Sequence, residues 1–208
     1  QLGTPVGMDG LPIYYAVPSS FDGAKSDGER WRWALAKVVE YNTARSDEIQ
    51  FLLANFFHEQ YSERTMQQAV WAGSDRSEDS SEKNESGTFA LHTLGENETI
   101  AKLASGIKRF TLPDEFNFIR IYKALSEKQN SAYREQAFGK LATIFEDRRQ
   151  YEKAADYLKR AIELFGTGYH NERQKRLDQI VGAWGRFEPL LTQPAGESGA
   201  TVDFLFRN

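Results

Sequence analysis

The sequence predicts an all-α fold, built of antiparallel helical hairpins stacked side by side, with short extended segments at both termini. Three observations carry this expectation. Apolar residues recur at helical spacing through most of residues 29–187. Serine, asparagine, glycine and proline interrupt those runs where helices would start and stop. Within residues 135–168, small and large apolar residues alternate as they must where two helices cross closely.

Residues 1–28 are rich in Gly, Pro, Asp and Ser, which supply the dihedral angles that turns need. Between two such clusters, Ile13, Tyr15 and Val17 alternate with Tyr14 and Ala16, the pattern of a short extended segment bounded by prolines. Helical period begins at Glu29, with Trp31, Leu35, Val38 and Val39 on one face. Trp31 and Trp33 cannot share that face, so one of them is expected to reach a groove or a neighbouring domain. Ser46 caps a second helix whose first turn carries Asp47 and Glu48 and whose expected apolar face is Ile49, Leu52, Leu53 and Phe56. A third helix would carry Met66, Ala69 and Val70. Residues 74–87 have no large apolar side chain and cannot offset their ordering entropy by burial, so they read as a mobile acidic surface insertion. Asn84 and Asn97 each begin an N-x-S/T triplet, a spacing that arises often by chance.

From about Asn97, Ile100, Leu103 and Ile107 form a stripe that predicts another helix, and Pro113 suits the first turn of the next. Phe118, Ile121, Tyr122 and Leu125 continue at helical spacing. Two helices follow Ser131, and a last one spans roughly 171–185 with Leu177, Ile180, Val181 and Trp184 on one face. Prolines and glycines then end the helical region. In the closing stretch Val202, Phe204 and Phe206 alternate with Asp203, Leu205 and Arg207, as in a half-buried strand. Residues 1–28, 29–187 and 188–208 therefore read as an extended N-terminal segment, a helical domain, and a linker with a strand.

Composition narrows the function classes. The longest dense apolar run, IQFLLANFF at 49–57, is far short of the roughly 20 residues a membrane helix needs, so no membrane contact is expected from this segment. A net charge of −4, with basic doublets flanked by acids, argues against nucleic acid as a partner. The absence of cysteine excludes disulfides, thiolate ligands, cysteine nucleophiles and thioesters from these residues.

No motif points to a reaction. HEQYS at 58–62 begins like H-E-x-x-H, but Ser62 stands where the second ligand would be, and His92 and His170 are distant in sequence. His58 is expected beside Glu59 on the wet edge of its helix. GESG at 196–199 lacks the strand-to-helix setting of a nucleophile elbow. GTGYHN at 166–171 lacks the third glycine and preceding strand of a dinucleotide site and reads as a turn between helices. Glu146, Asp147, Glu152 and Asp156 lie beside Arg148, Arg149 and Lys153, the pattern of surface ion pairs. Neither catalytic residues, nor a metal site, nor a cofactor is expected.

One motif carries a mechanism. FGKLATIF at 138–145 matches the first half of a tetratricopeptide repeat, with Phe138 in the tryptophan place, Leu141 in the leucine place, Ala142 in the glycine place and Phe145 in the tyrosine place. Ala154, Leu158 and Ala161 supply the second half at the right distance. The alanines let two antiparallel helices approach, and the large residues fill the space beside the crossing. Ordinary helical hairpins show the same alternation, and the neighbouring stretches match the repeat poorly. Since one repeat cannot bury its own faces, the flanking helices would complete a TPR-like, α-solenoid stack. Outward residues on the first helix of each hairpin, Arg134, Lys140, Arg173 and Lys175, are the candidate protein-binding positions.

Longer blocks carry a further resemblance. DGERWRWAL (27–35), HTLGENETIAKLASGIKRFTLPDEFNFIRIYK (92–123), FEDRRQYEKAADYLKRAIELFG (145–166) and RLDQIVGAWGRFEPLLTQPAG (176–196) resemble the helical, tetratricopeptide-like segment of large bacterial alpha-2-macroglobulin-like proteins. That resemblance implies an exported protein, periplasmic or at the cell surface, in which the helical segment precedes β-sandwich domains. It also makes residues 200–208 the first strand of the next sandwich. The implied role is a non-catalytic interaction or spacer module in a protease inhibitor, its partners the neighbouring sandwich domains or a peptide segment of another protein. The inhibitor's thioester cannot lie here, since there is no cysteine. The residues alone also admit a free-standing cytosolic tetratricopeptide adaptor and, further off, a helical enzyme with clustered carboxylates.

Overall fold

The computed structural model describes residues 4–65, 89–182, 184–187 and 204–207. The expected third helix at Met66, the insertion at 74–87 and residues 188–203 lie outside the described residues. The protein is mostly helical, with α1 (Asp27–Tyr41), α2 (Ser46–Tyr61), α3 (Phe118–Glu127), α4 (Arg134–Asp147), α5 (Tyr151–Phe165) and α6 (Glu172–Val181). Strands β1 (Glu98–Leu103) and β2 (Gly106–Thr111) form one antiparallel pair, and β3 (Trp184–Phe187) and β4 (Phe204–Arg207) form another.

Among the described residues, from α2 onward each α-helix packs on the next: α2 on α3, α3 on α4, α4 on α5, α5 on α6. Short connections force an antiparallel order from α3 to α6, whereas the β-hairpin lies in the long connection between α2 and α3. The hairpin of α4 and α5 is its centre. Phe138, Leu141, Ala142, Phe145, Ala154, Leu158 and Ala161 are all buried there, and the Phe145 and Tyr157 rings stack at 5.5 Å. The main apolar core runs on through Phe118, Ile119, Tyr122 and Leu125 of α3 to Ala54, Phe57 and Tyr61 of α2.

The helix expected from Asn97 is a β-hairpin. Leu103 pairs with Gly106 across Ala104-Ser105, and Gly106 has φ +113°, a backbone state that ends any helix and suits a tight reversal. Thr99, Ile100, Ile107 and Thr111 are β-branched, which favours the pleated surface. Ile100, Leu103 and Ile107 imitate a helical stripe, yet Ile107 is 39% exposed while Ile100 is fully buried. The N-terminal segment docks on this hairpin: Thr4 bridges Leu103 in parallel, and the Thr4 hydroxyl donates to the Gln60 carbonyl at 2.9 Å. The extended stretch expected at 11–18 reduces to one bridge, Val6 to Pro12.

Other expectations shift by a fraction of a turn. Pro113 precedes a short 3-10 turn, Asp114–Phe116, and α3 starts later, capped by the Asn117 side chain accepting from the Arg120 N–H at 3.1 Å. In α2 the buried face is Ile49, Ala54, Phe57, His58 and Tyr61, whereas Leu52 and Phe56 are exposed. The last helix stops at Val181, because Gly182 takes an extended conformation, so Trp184 opens β3 instead of completing a helical face. The strand expected at the C-terminus is present as β4, and its partner is β3.

Candidate functional site

The C-terminal ends of α2 and α4 meet inside the protein, and each brings charged side chains with it. Arg148 caps α4 and is fully buried; Glu63, two residues past the end of α2, is 2% exposed. Their N···O separation is 3.8 Å. His58, in the last turn of α2, is also buried, with its ring 5.0 Å from that of Phe118. Asp147 reaches Arg64 at 3.7 Å. The surface setting expected for His58 and Arg148 is therefore wrong. Arg148 continues the core face of α4, following Ala137, Leu141 and Ile144 at spacings that keep one face inward.

Local geometry explains how Arg148 is aimed. The chain leaves α4 through Arg149 at φ 57°, with the Arg149 N–H on the Glu146 carbonyl and the Gln150 N–H on the Phe145 carbonyl, both at 2.8 Å. This is the paired closure of a Schellman turn, with arginine in the left-handed seat that glycine usually takes. The turn reverses the chain within two residues and leaves Arg148 pointing at the core. Its Nη1 donates to the Gly95 carbonyl at 3.2 Å, and its guanidinium lies 5.7 Å from the Phe118 ring centroid. Gln150 extends the same tie, donating to the carbonyls of Leu94 at 2.7 Å and His92 at 3.1 Å. Residues 92–95 are thereby held against the junction of α4 and α5.

Electrostatics follow from burial. Desolvation, reinforced by the cations Arg64, Lys140 and Arg148, pushes the His58 imidazole down to about 3. Burial raises the Glu63 carboxyl, opposed in part by Arg148, and raises Asp147 as well. Burial also lowers the Arg148 guanidinium, with Glu63 pulling the other way. His58 Nε2, both Glu63 oxygens, and Nε and Nη2 of Arg148 have no hydrogen-bond partner among the described residues. The cluster is enclosed, and its geometry joins three chain segments through one guanidinium. Among the described residues, no group of three or more acidic, His or Cys side chains could hold a metal ion.

Two of the four candidate binding positions, Arg134 and Arg173, lie against the same residue, Phe165. Arg134 donates to the Ser126 carbonyl at 3.0 Å and lies 5.9 Å from the Phe165 ring centroid. Arg173 donates to the Gly166 carbonyl at 2.8 Å and pairs with Glu135. Both arginines thus serve helix C-termini, where carbonyls lack intrahelical partners. Lys140 is half-buried, lowered by desolvation and by Arg64 and raised by Glu59. Lys175 is exposed on α6. Separately, an open groove of about 460 Å³ runs between α3 and the turn before β1. Its edge is Glu96, which pairs with Lys123 at 2.9 Å and Lys153 at 3.8 Å.

No family model matches the sequence, and neither curated proteins nor solved structures show a significant match to it.

Proposed function

We propose that this chain is a non-catalytic helical interaction and spacer module, a tetratricopeptide-like stack of hairpins belonging to a large exported alpha-2-macroglobulin-like protease inhibitor. The supporting observation is the hairpin of α4 and α5, where Ala142, Ala154 and Ala161 are buried at the crossing and large residues fill the flanks. Helices that pack on their sequence neighbours form an elongated framework, and such frameworks position other domains or offer a long surface to extended peptides. The sequence blocks that resemble the macroglobulin helical segment supply the rest of the reading.

The test is made on the whole gene product. Export, β-rich domains beside this module, and amine-reactive cross-links from the exposed Lys159 and Lys175 to those domains are expected. A product retained in the cytosol that cross-links only to a separate polypeptide would replace this reading with that of a free-standing adaptor. Substrate turnover by the chain itself would overturn both.

A further inference from the structure

The burial pattern of α1 differs from that of every other α-helix among the described residues. Helices α2 to α6 each bury two or more apolar side chains, whereas the one buried residue of α1 is Arg32. Trp31, Leu35, Val38 and Val39 are all partly exposed. No α1 side chain belongs to the main apolar core or to the partly buried residues packed at its margin.

Arg32 makes the attachment instead. Its guanidinium donates to the Tyr15 carbonyl, reaches Glu115 at 3.0 Å and lies 4.6 Å from the centroid of the Phe116 ring. Phe116 is a core residue, with its ring 4.7 Å from Tyr14 and 5.0 Å from Phe57. Other contacts are the Trp31 ring on Phe56 at 4.7 Å, with Phe56 itself 37% exposed, the Trp33 ring on Phe21 at 5.8 Å, and Gly28 against the Tyr15 ring. The 3-10 turn Thr43–Arg45 then separates α1 from α2.

We propose that α1 is a detachable strap, pinned to the core by the Arg32 clamp and able to open about the turn at 42–45 while α2 to α6 stay folded. A helix that buries an apolar stripe opens only when the core opens. A helix held by one buried guanidinium and by ring contacts at the margin, Trp31 on Phe56 and Trp33 on Phe21, needs less free energy to open, and loss of the guanidinium removes its one buried anchor. The Glu115 carboxylate is 62% exposed, so its share of the clamp is screened by salt. Opening uncovers the Phe116 ring and the side of Phe56 that Trp31 covers, an aromatic surface at the N-terminal end of the stack.

Hydrogen exchange followed by mass spectrometry on the whole chain tests this. Peptides from α1 should exchange about 100-fold faster than those from α4 and α5, because local opening needs less free energy than global unfolding. Arg32→Met should speed α1 exchange by about another tenfold, on the scale of one lost charge-assisted hydrogen bond, and leave α4 and α5 unchanged. Glu115→Gln and added sodium chloride should act in the same direction by smaller factors, and they decide the matter if Arg32→Met does not fold. Equal protection of α1 and α4 in the wild-type chain would overturn the proposal. So would an Arg32→Met or Glu115→Gln effect spread evenly over all helices.

Discussion

Arg148 and Glu63 face each other 3.8 Å apart inside the protein, one on the turn out of α4 and the other just past α2. The pair brings together elements 85 residues apart in sequence, counted from 63 to 148. Each charge compensates the other in a place where neither could stand alone.

Removing one partner should therefore cost much more than removing both. Glu63→Leu or Arg148→Met alone leaves an uncompensated buried group and should cost about 3–5 kcal/mol in urea unfolding, while the double substitution should cost far less than the sum. Additive single effects in that double-mutant cycle would show that the pair is not coupled.

His58 makes stability depend on pH. Its folded value lies near 3, below the ordinary 6.5, so the unfolded chain binds the extra proton between those values. Stability should then fall as pH drops below 6.5 and go on falling toward 3. Glu63 and Asp147 are raised and act in the opposite sense, favouring the folded state on the acid side. The His58 share is isolated by comparing wild type with His58→Leu from pH 7.5 to 4: the gap should move in favour of the leucine chain as pH falls. A constant gap would mean that His58 titrates normally.

The crossing of α4 and α5 should be intolerant of volume change in both directions. Phe138→Ala and Phe145→Ala should each cost about 3–5 kcal/mol, as deletions from a filled core do. Ala154→Leu should also destabilise, by about 1–3 kcal/mol, because it pushes apart helices that meet on methyl groups. Thermal melts showing less than about 0.5 kcal/mol for either phenylalanine would contradict the buried geometry.

Two glycines should respond to alanine with opposite signs. Gly139 lies within α4 with open space where a Cβ would stand, so Gly139→Ala should stabilise by about 0.5–1 kcal/mol. Gly106 also has free space, but its φ of +113° is strained for any L side chain, so Gly106→Ala should destabilise. If both changes stabilise, the turn between β1 and β2 is not the one described here.

Helices α2 to α6 were legible because local signals agree. Ser46 and Asp47 at the start of α2, Phe118 and Tyr122 on α3, and the alanine–phenylalanine alternation of α4 and α5 each state a helix within a few residues, and burial of those faces requires the next helix. Residues 98–111 are ambiguous in sequence because Ile100, Leu103 and Ile107 satisfy a helical period and a hairpin alike; the choice falls to Gly106 and to the contact with α2 through Thr99 and the Tyr61 carbonyl. The candidate site was hidden for a similar reason. A basic doublet at 148–149 looks like solvated surface until α4 is seen to turn one of its arginines inward and the other out of the helix.

Residue order sets which stretches prefer to be helical and which faces must leave water, since period, caps and small-residue spacing act over four to eight neighbours. Where a charge ends up is a property of the assembled chain. Glu63 and Arg148 tolerate burial because each lies beside the other, and Arg32 holds α1 because Glu115 and Phe116 lie beneath it. Coulomb and desolvation energies depend on distances in space, and residues far apart in the chain become neighbours only when the helices pack.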